Sequence, residues 1–199
     1  MTLKNPTNQS SGSHNSRIRK LNTSTLTLIA LMTALLCLIG PWALTLPFSP
    51  IPFSLCTLGI YFASLLLGWK AGTISVLLYL LLGLVGLPVF TGFMGGPAKL
   101  LGPTGGYLIG YLFMALICGF FKEHFSRKRP TLILGMLIST CICYAFGSIW
   151  MALQLSLSFP DAMLIGVLPY LPLDCIKIFV AATVTPLMYK QLSRAGLLH

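Results

Sequence analysis

An aspartate and a lysine stand three residues apart in Leu168-Pro169-Tyr170-Leu171-Pro172-Leu173-Asp174-Cys175-Ile176-Lys177, a run otherwise almost wholly apolar. In a helix that spacing places both side chains on one face. Pro172 suits a first helical turn, so Asp174 falls near the start and Lys177 about one turn, roughly 5 Å, further in. Either charge costs about 2.5–3.5 kcal/mol to place within a bilayer on insertion scales, so such residues face partners or a cavity. One reading is purely structural, a first-turn acid with its own ion-pair partner. The other is a ligand site, because a lone buried pair adds little net stability that an apolar pair would not supply. As chemistry, the carboxylate accepts from N–H groups and the ammonium takes an anionic or carbonyl oxygen. Tyr107, Phe93, Phe90 and Tyr170 are the aromatic side chains that could enclose a non-polar body between them. The ligand so described is small and partly apolar, with an amide-like end and an anionic end.

Catalytic chemistries lack their residues. A serine enzyme needs a base, but His14, His124 and His199 lie in the amino-terminal tail, an internal basic loop and the last position. An aspartyl enzyme needs two intramembrane acids, whereas Asp161 falls in a loop and leaves Asp174 alone. Cys141 and Cys143, two apart, diverge on a helix and make no metal site. No Gly-Lys pair occurs, which excludes a Walker phosphate loop. The expectation is therefore a binding protein with no catalytic residue, metal or cofactor, an intramembrane enzyme being the rival class.

Two further stretches carry structural signals. Leu101-Gly102-Pro103-Thr104-Gly105-Gly106-Tyr107 opens an apolar run, and Gly102, Gly106 and Gly110 repeat at four-residue spacing, a face on which two helix backbones approach closely. Glycines there also bare amides at a helix amino terminus, where an anion or carbonyl oxygen is welcome. Packing alone, or packing combined with ligand contact, both account for them. Pro47, Pro50 and Pro52 exclude regular helix and make either a rigid exposed turn or a cap over a pocket. Ala30 and Ala34, four apart, form a smooth strip for another helix.

The elements that position these residues follow from composition. In 199 residues, 56% are hydrophobic and 8% charged, against roughly 25% charged in soluble domains, and the mean hydropathy is +0.88. Disorder is excluded by that apolar content, and most of the six cysteines lie inside apolar runs, which argues against a disulfide scaffold. The formal charge of +10 describes a nucleic-acid binder only if the basic residues share one water-facing surface. They sit instead at the ends of apolar runs. About twenty apolar residues cross a bilayer core, and six segments fit, near residues 21–46, 53–69, 71–87, 104–121, 131–158 and 171–189. The second and third meet at Lys70 as a tight antiparallel hairpin.

The expected architecture is all-α, a polytopic six-helix membrane bundle, with a disordered basic tail over residues 1–20, a membrane domain over 21–192 and a short carboxy-terminal tail over 193–199. With the amino terminus inside, eleven of thirteen Lys and Arg residues fall on the cytoplasmic side, as retention of basic flanks requires. Both termini are then cytoplasmic. Asp174, the proline-rich segment and the glycine-rich loop lie at the outer face.

Taken together, these stretches resemble the BioY family, the membrane-embedded biotin-binding S components of energy-coupling-factor (ECF) transporters. The likeness is carried by Ile51-Pro52-Phe53-Ser54 followed by Thr57-Leu58-Gly59, by Gly83-Leu84-Val85-Gly86-Leu87-Pro88-Val89-Phe90, by Gly102 to Gly106 continuing into Tyr107-Leu108-Ile109-Gly110-Tyr111, and by Leu171-Pro172-Leu173-Asp174-Cys175-Ile176-Lys177. The resemblance implies six helices, a biotin site near the outer face and uptake across the bacterial cytoplasmic membrane. It puts Asp174 and Lys177 in that site, with Thr104, Gly105, Gly106, Tyr107 and Phe93 beside it. It also makes Ala30 and Ala34 the strip that docks on a transmembrane coupling subunit, whose ATPase subunits supply the energy. Membrane lipids are the remaining partners, and nucleic acid is not one. An S component for another vitamin is the nearest alternative.

Overall fold

The structure, a computed structural model, describes residues 23–44, 53–125 and 129–196. The residue 1–20 tail, the proline-rich segment and the last three residues lie outside the described part. Helix α1 (Thr23–Ile39) buries Leu28, Ile29, Met32, Thr33 and Leu36 along one stripe, the one-face periodicity of a helix packed on a neighbour. It stops earlier than the expected 21–46 span. Gly40 and Pro41 follow, and the chain continues as a two-residue strand, β1 (Ala43–Leu44), paired antiparallel with β2 (Phe53–Ser54).

Helix α2 (Cys56–Leu84) is continuous in hydrogen bonding except at Gly68, whose φ of 84° and ψ of −178° are open only to glycine. The chain doubles back there. A Cβ on Gly72 would sit 2.8 Å from the Ser64 backbone, and Cys56 and Tyr79 are buried in one core cluster. In a straight helix those two would lie about 34 Å apart at about 1.5 Å per residue. The expected hairpin therefore exists, but it turns at Gly68 instead of Lys70, which is helical and exposed. The reason is conformational, since only a residue without Cβ takes that backbone geometry.

A short helix, α3 (Pro97–Leu101), leads into α4 (Gly105–His124), and then come α5 (Arg129–Leu155), the short α6 (Phe159–Gly166) and α7 (Leu171–Arg194). Helix α4 packs chiefly on α5 and α2. A Cβ on Gly106 would fall 2.3 Å from Trp150 Cβ, one on Gly110 2.9 Å from Cys143 Sγ, and one on Gly147 of α5 2.3 Å from the Tyr107 ring. Small residues thus let the two helices interlock, as their spacing predicts. Gly102 does not belong to that face. It ends α3 with extended backbone, and its carbonyl accepts from Trp150 Nε1 at 3.0 Å; Pro103 separates it from the helix that Gly106 and Gly110 share.

Helices α2, α4, α5 and α7 are each long and apolar enough to cross a membrane by length and composition, and α1 is a shorter apolar helix. Their outward faces carry exposed Leu31, Leu38, Leu134, Ile142, Phe179 and Leu187. A helix apolar on both faces is at home in lipid. The protein is a multi-pass membrane protein. At one end of the bundle lie the Gly68 turn, the end of α4, the start of α5 and the end of α7, with Lys70, Lys122, Arg129, Lys190 and Arg194. The opposite end gathers the β-hairpin, α3, α6 and the start of α7.

Candidate functional site

At that opposite end, Pro172 occupies the first turn of α7 and Asp174 N–H bonds the Tyr170 carbonyl at 2.9 Å. Lys177 follows one turn deeper. Both side chains are buried, at 7% and 6% exposure, and Lys177 Nζ lies 2.8 Å from Asp174 Oδ1. The ammonium also donates to the main-chain carbonyl of Ser54, at 2.6 Å, and to Thr57 Oγ1, at 2.8 Å. The second carboxylate oxygen, Oδ2, accepts from the Tyr144 hydroxyl on α5. Neither charge is therefore held by the other alone. The lysine is seated on the β-hairpin and the first turn of α2, and the aspartate is clasped from α5.

Around the pair lies a cavity of about 60 Å³ walled by Ser54, Thr57, Tyr107, Tyr111, Met114, Thr140, Cys143, Tyr144, Gly166 and Tyr170 together with Asp174 and Lys177. Four tyrosines give it aromatic walls with polar tips. Tyr107 leans its ring on Gly147 and pairs its hydroxyl with Ser148 Oγ at 3.2 Å. Thr140 Oγ1 meets the Tyr61 hydroxyl at 2.6 Å. A fixed ammonium, a fixed carboxylate and aromatic faces between them offer the chemistry that a partly apolar molecule with polar ends requires.

Of the residues singled out in sequence, Asp174, Lys177, Tyr107 and Tyr170 share this cavity. Thr104, Gly105, Gly106 and Phe93 do not line it. Thr104 caps α4 without a side-chain bond, Gly105 meets the Leu100 backbone and Gly106 meets Trp150. Phe93 is 61% exposed and stands edge-on to Trp42 with ring centroids 5.9 Å apart. Phe90 is fully buried against Gly83 and Tyr79. Tyr144, Thr140 and Tyr111 were missed because one polar group in an apolar helix is an unremarkable event; only contact across helices distinguishes it. Ser54 and Thr57 had a weak signal, polar positions flanking the start of a span. Ala30 and Ala34 are both exposed, on the face of α1 opposite its buried stripe.

A model of the BioY family matches residues 11–194. The chain is 38% identical over 174 residues to the biotin transporter BioY of Lactococcus lactis subsp. cremoris, covering 84% of this chain and 91% of that protein. It is 36% identical over 157 residues to the biotin transporter BioY of Thermotoga maritima, covering 77% and 89%. Among solved structures it superposes on the S-component for biotin from an ECF-type ABC transporter with a TM-score of 0.77 and 37% identity, over 83% of this chain and 90% of the other.

Proposed function

The chain belongs to the BioY family, and from that premise we propose that it takes up biotin as the substrate-specific S component of an ECF-type transporter, with Asp174 and Lys177 as the polar anchors of the vitamin site. The observation that carries the site is the buried Asp174–Lys177 couple in an aromatic hollow at the end of the bundle away from the basic residues. Biotin has a ureido group with N–H donors and a carbonyl, an apolar sulfur ring and a carboxylated tail. A carboxylate suits the N–H groups, an ammonium suits an oxygen, and tyrosine faces suit the ring. The cavity of about 60 Å³ is smaller than such a molecule, so binding displaces side chains. The oxygens now held by Lys177 Nζ, from Ser54 and Thr57, are the acceptors that a ligand oxygen replaces. Tyr107 supplies wall area, while Thr104, Gly105 and Gly106 serve by seating α4 on its neighbours and Phe93 stands outside.

In this reading the two arms of α2, residues 56–67 and 69–84, are separate passes, which with α1, α4, α5 and α7 makes six. Both termini are cytoplasmic and the Asp174 end is outside, because the basic residues at the Gly68 end are those retained inside. The protein works in a bacterial cytoplasmic membrane among its lipids, and Ala30 and Ala34 dock on the coupling subunit that brings the ATPase subunits.

Equilibrium titration of the purified chain with labelled biotin tests the assignment. Lys177→Ala and Asp174→Asn each weaken binding about tenfold or more, the worth of a hydrogen bond to a charged group. Unchanged affinity in both variants, with the protein still folded, refutes the site. Preference for a different vitamin over biotin in the unmodified chain refutes the substrate.

A further inference from the structure

A second cavity, of about 140 Å³, lies at the basic end of the bundle, walled by Leu65, Lys122, Leu132, Thr185, Pro186 and Tyr189. Leu65 precedes the Gly68 turn by three residues, Lys122 precedes the end of α4 by two, and Leu132 follows the start of α5 by three. On these three helices the wall sits about one turn, roughly 5 Å, inside the ends, and on α7 it runs from Tyr189 to Thr185, five to nine residues before Arg194. Lys122 is buried, at 9% exposure. Its Nζ donates to the Leu66 carbonyl at 3.0 Å and lies 5.5 Å from the centre of the Tyr189 ring.

Thr185 is the informative neighbour. Thr33, Thr140 and Thr183 each turn their hydroxyl onto the carbonyl four residues back, at 2.9, 2.6 and 2.9 Å, the usual refuge of a threonine within a helix. Thr185 does not. It is 3% exposed, and among the described residues its Oγ1 has no hydrogen-bond partner. A buried hydroxyl left this way is costly, and this one forms part of the wall that also carries an ammonium. An O–H donor beside an N–H donor, with Lys190, Arg194 and Arg129 at the neighbouring helix ends, matches the oxygens of a phosphate.

We propose that this inner cavity is a phosphate-binding site, with Lys122 Nζ and Thr185 Oγ1 as its donors, separate from the vitamin site at the other end of the bundle. The phosphate belongs to a phospholipid headgroup or to a soluble phosphate. The test follows thermal unfolding of the detergent-purified full chain during titration with short-chain phosphatidylglycerol, with inorganic phosphate, or with diacylglycerol of the same acyl length. The expected result is a rise in midpoint with phosphatidylglycerol and none with diacylglycerol. Thr185→Val, which keeps shape and removes the idle hydroxyl, requires about fivefold more phosphatidylglycerol for the same rise and leaves biotin affinity unchanged. Lys122→Met abolishes the rise, and because that variant also loses a structural hydrogen bond, the valine variant carries the decision. Protection by inorganic phosphate with the same Thr185 dependence supports the site and assigns it to a soluble anion. Identical titrations for the valine variant and the unmodified chain, or equal protection by diacylglycerol, overturn it.

Discussion

At the scale of single residues, Lys177 is held by three kinds of oxygen at once: a carboxylate, a main-chain carbonyl and a hydroxyl. One of these partners is charged and two are neutral, an arrangement that, on the proposed function, lets a ligand oxygen replace a neutral acceptor while the ion pair stays in place. Asp174 depends in turn on Tyr144, whose hydroxyl fixes one carboxylate oxygen. Removing only that donor by Tyr144→Phe costs about 1.5–3 kcal/mol of interaction with the charged carboxylate. The expected outcome is biotin affinity lowered about tenfold or more with unaltered helix content, read by titration and circular dichroism; an unaffected dissociation constant excludes Tyr144 from positioning Asp174. The acid and the base were legible in sequence because a charge in an apolar run is rare. Tyr144 was not, because a tyrosine in such a run is ordinary until another helix brings a carboxylate to it.

Among the elements, the hairpin within α2 rests on one backbone geometry. Gly68 adopts a φ of 84°, and a Cβ there would lie 1.9 Å from Glu123 Oε1. That same oxygen accepts the Trp69 N–H at 3.1 Å, satisfying an amide that the turn removes from the helical ladder. Gly68→Ala therefore combines backbone strain of about 1–3 kcal/mol with displacement of the Glu123 cap. A clear fall in thermal midpoint is expected, with a smaller fall for Glu123→Ala; an alanine variant as stable as the parent contradicts the turn. Sequence reading found the hairpin from hydropathy and its apex near the charged Lys70 without fixing the boundary, since hydropathy follows side chains whereas the turn follows φ and ψ. The short helices α3 and α6 escaped notice because they are too brief to show periodicity.

For the molecule as a whole, the two ends differ in chemistry, basic at the Gly68 end and aromatic with a buried ion pair at the other. A Lys70→Cys variant, in a background with the exposed Cys141 and Cys175 changed to serine, is expected to react with membrane-impermeant maleimide only in inverted vesicles. Labelling in intact cells reverses the orientation. The exposed alanines of α1 face away from the bundle, so Ala34→Trp is expected to abolish co-purification with the coupling subunit while biotin affinity stays within about twofold, a surface change that leaves the distant site alone. Retained co-purification removes the strip from the interface.

Sequence alone determined the solvent, the class and the polar pair: apolar run length is imposed by bilayer thickness, and an ionisable residue within such a run stands out against it. Tertiary structure decided what those runs enclose. Which tyrosines face Asp174, which carbonyl receives Lys177, and that Gly106 packs on a tryptophan all depend on how helices distant in the chain are rotated against one another. Hydropathy is nearly uniform around helices that have lipid on one side and an apolar core on the other, so it carries little record of that rotation.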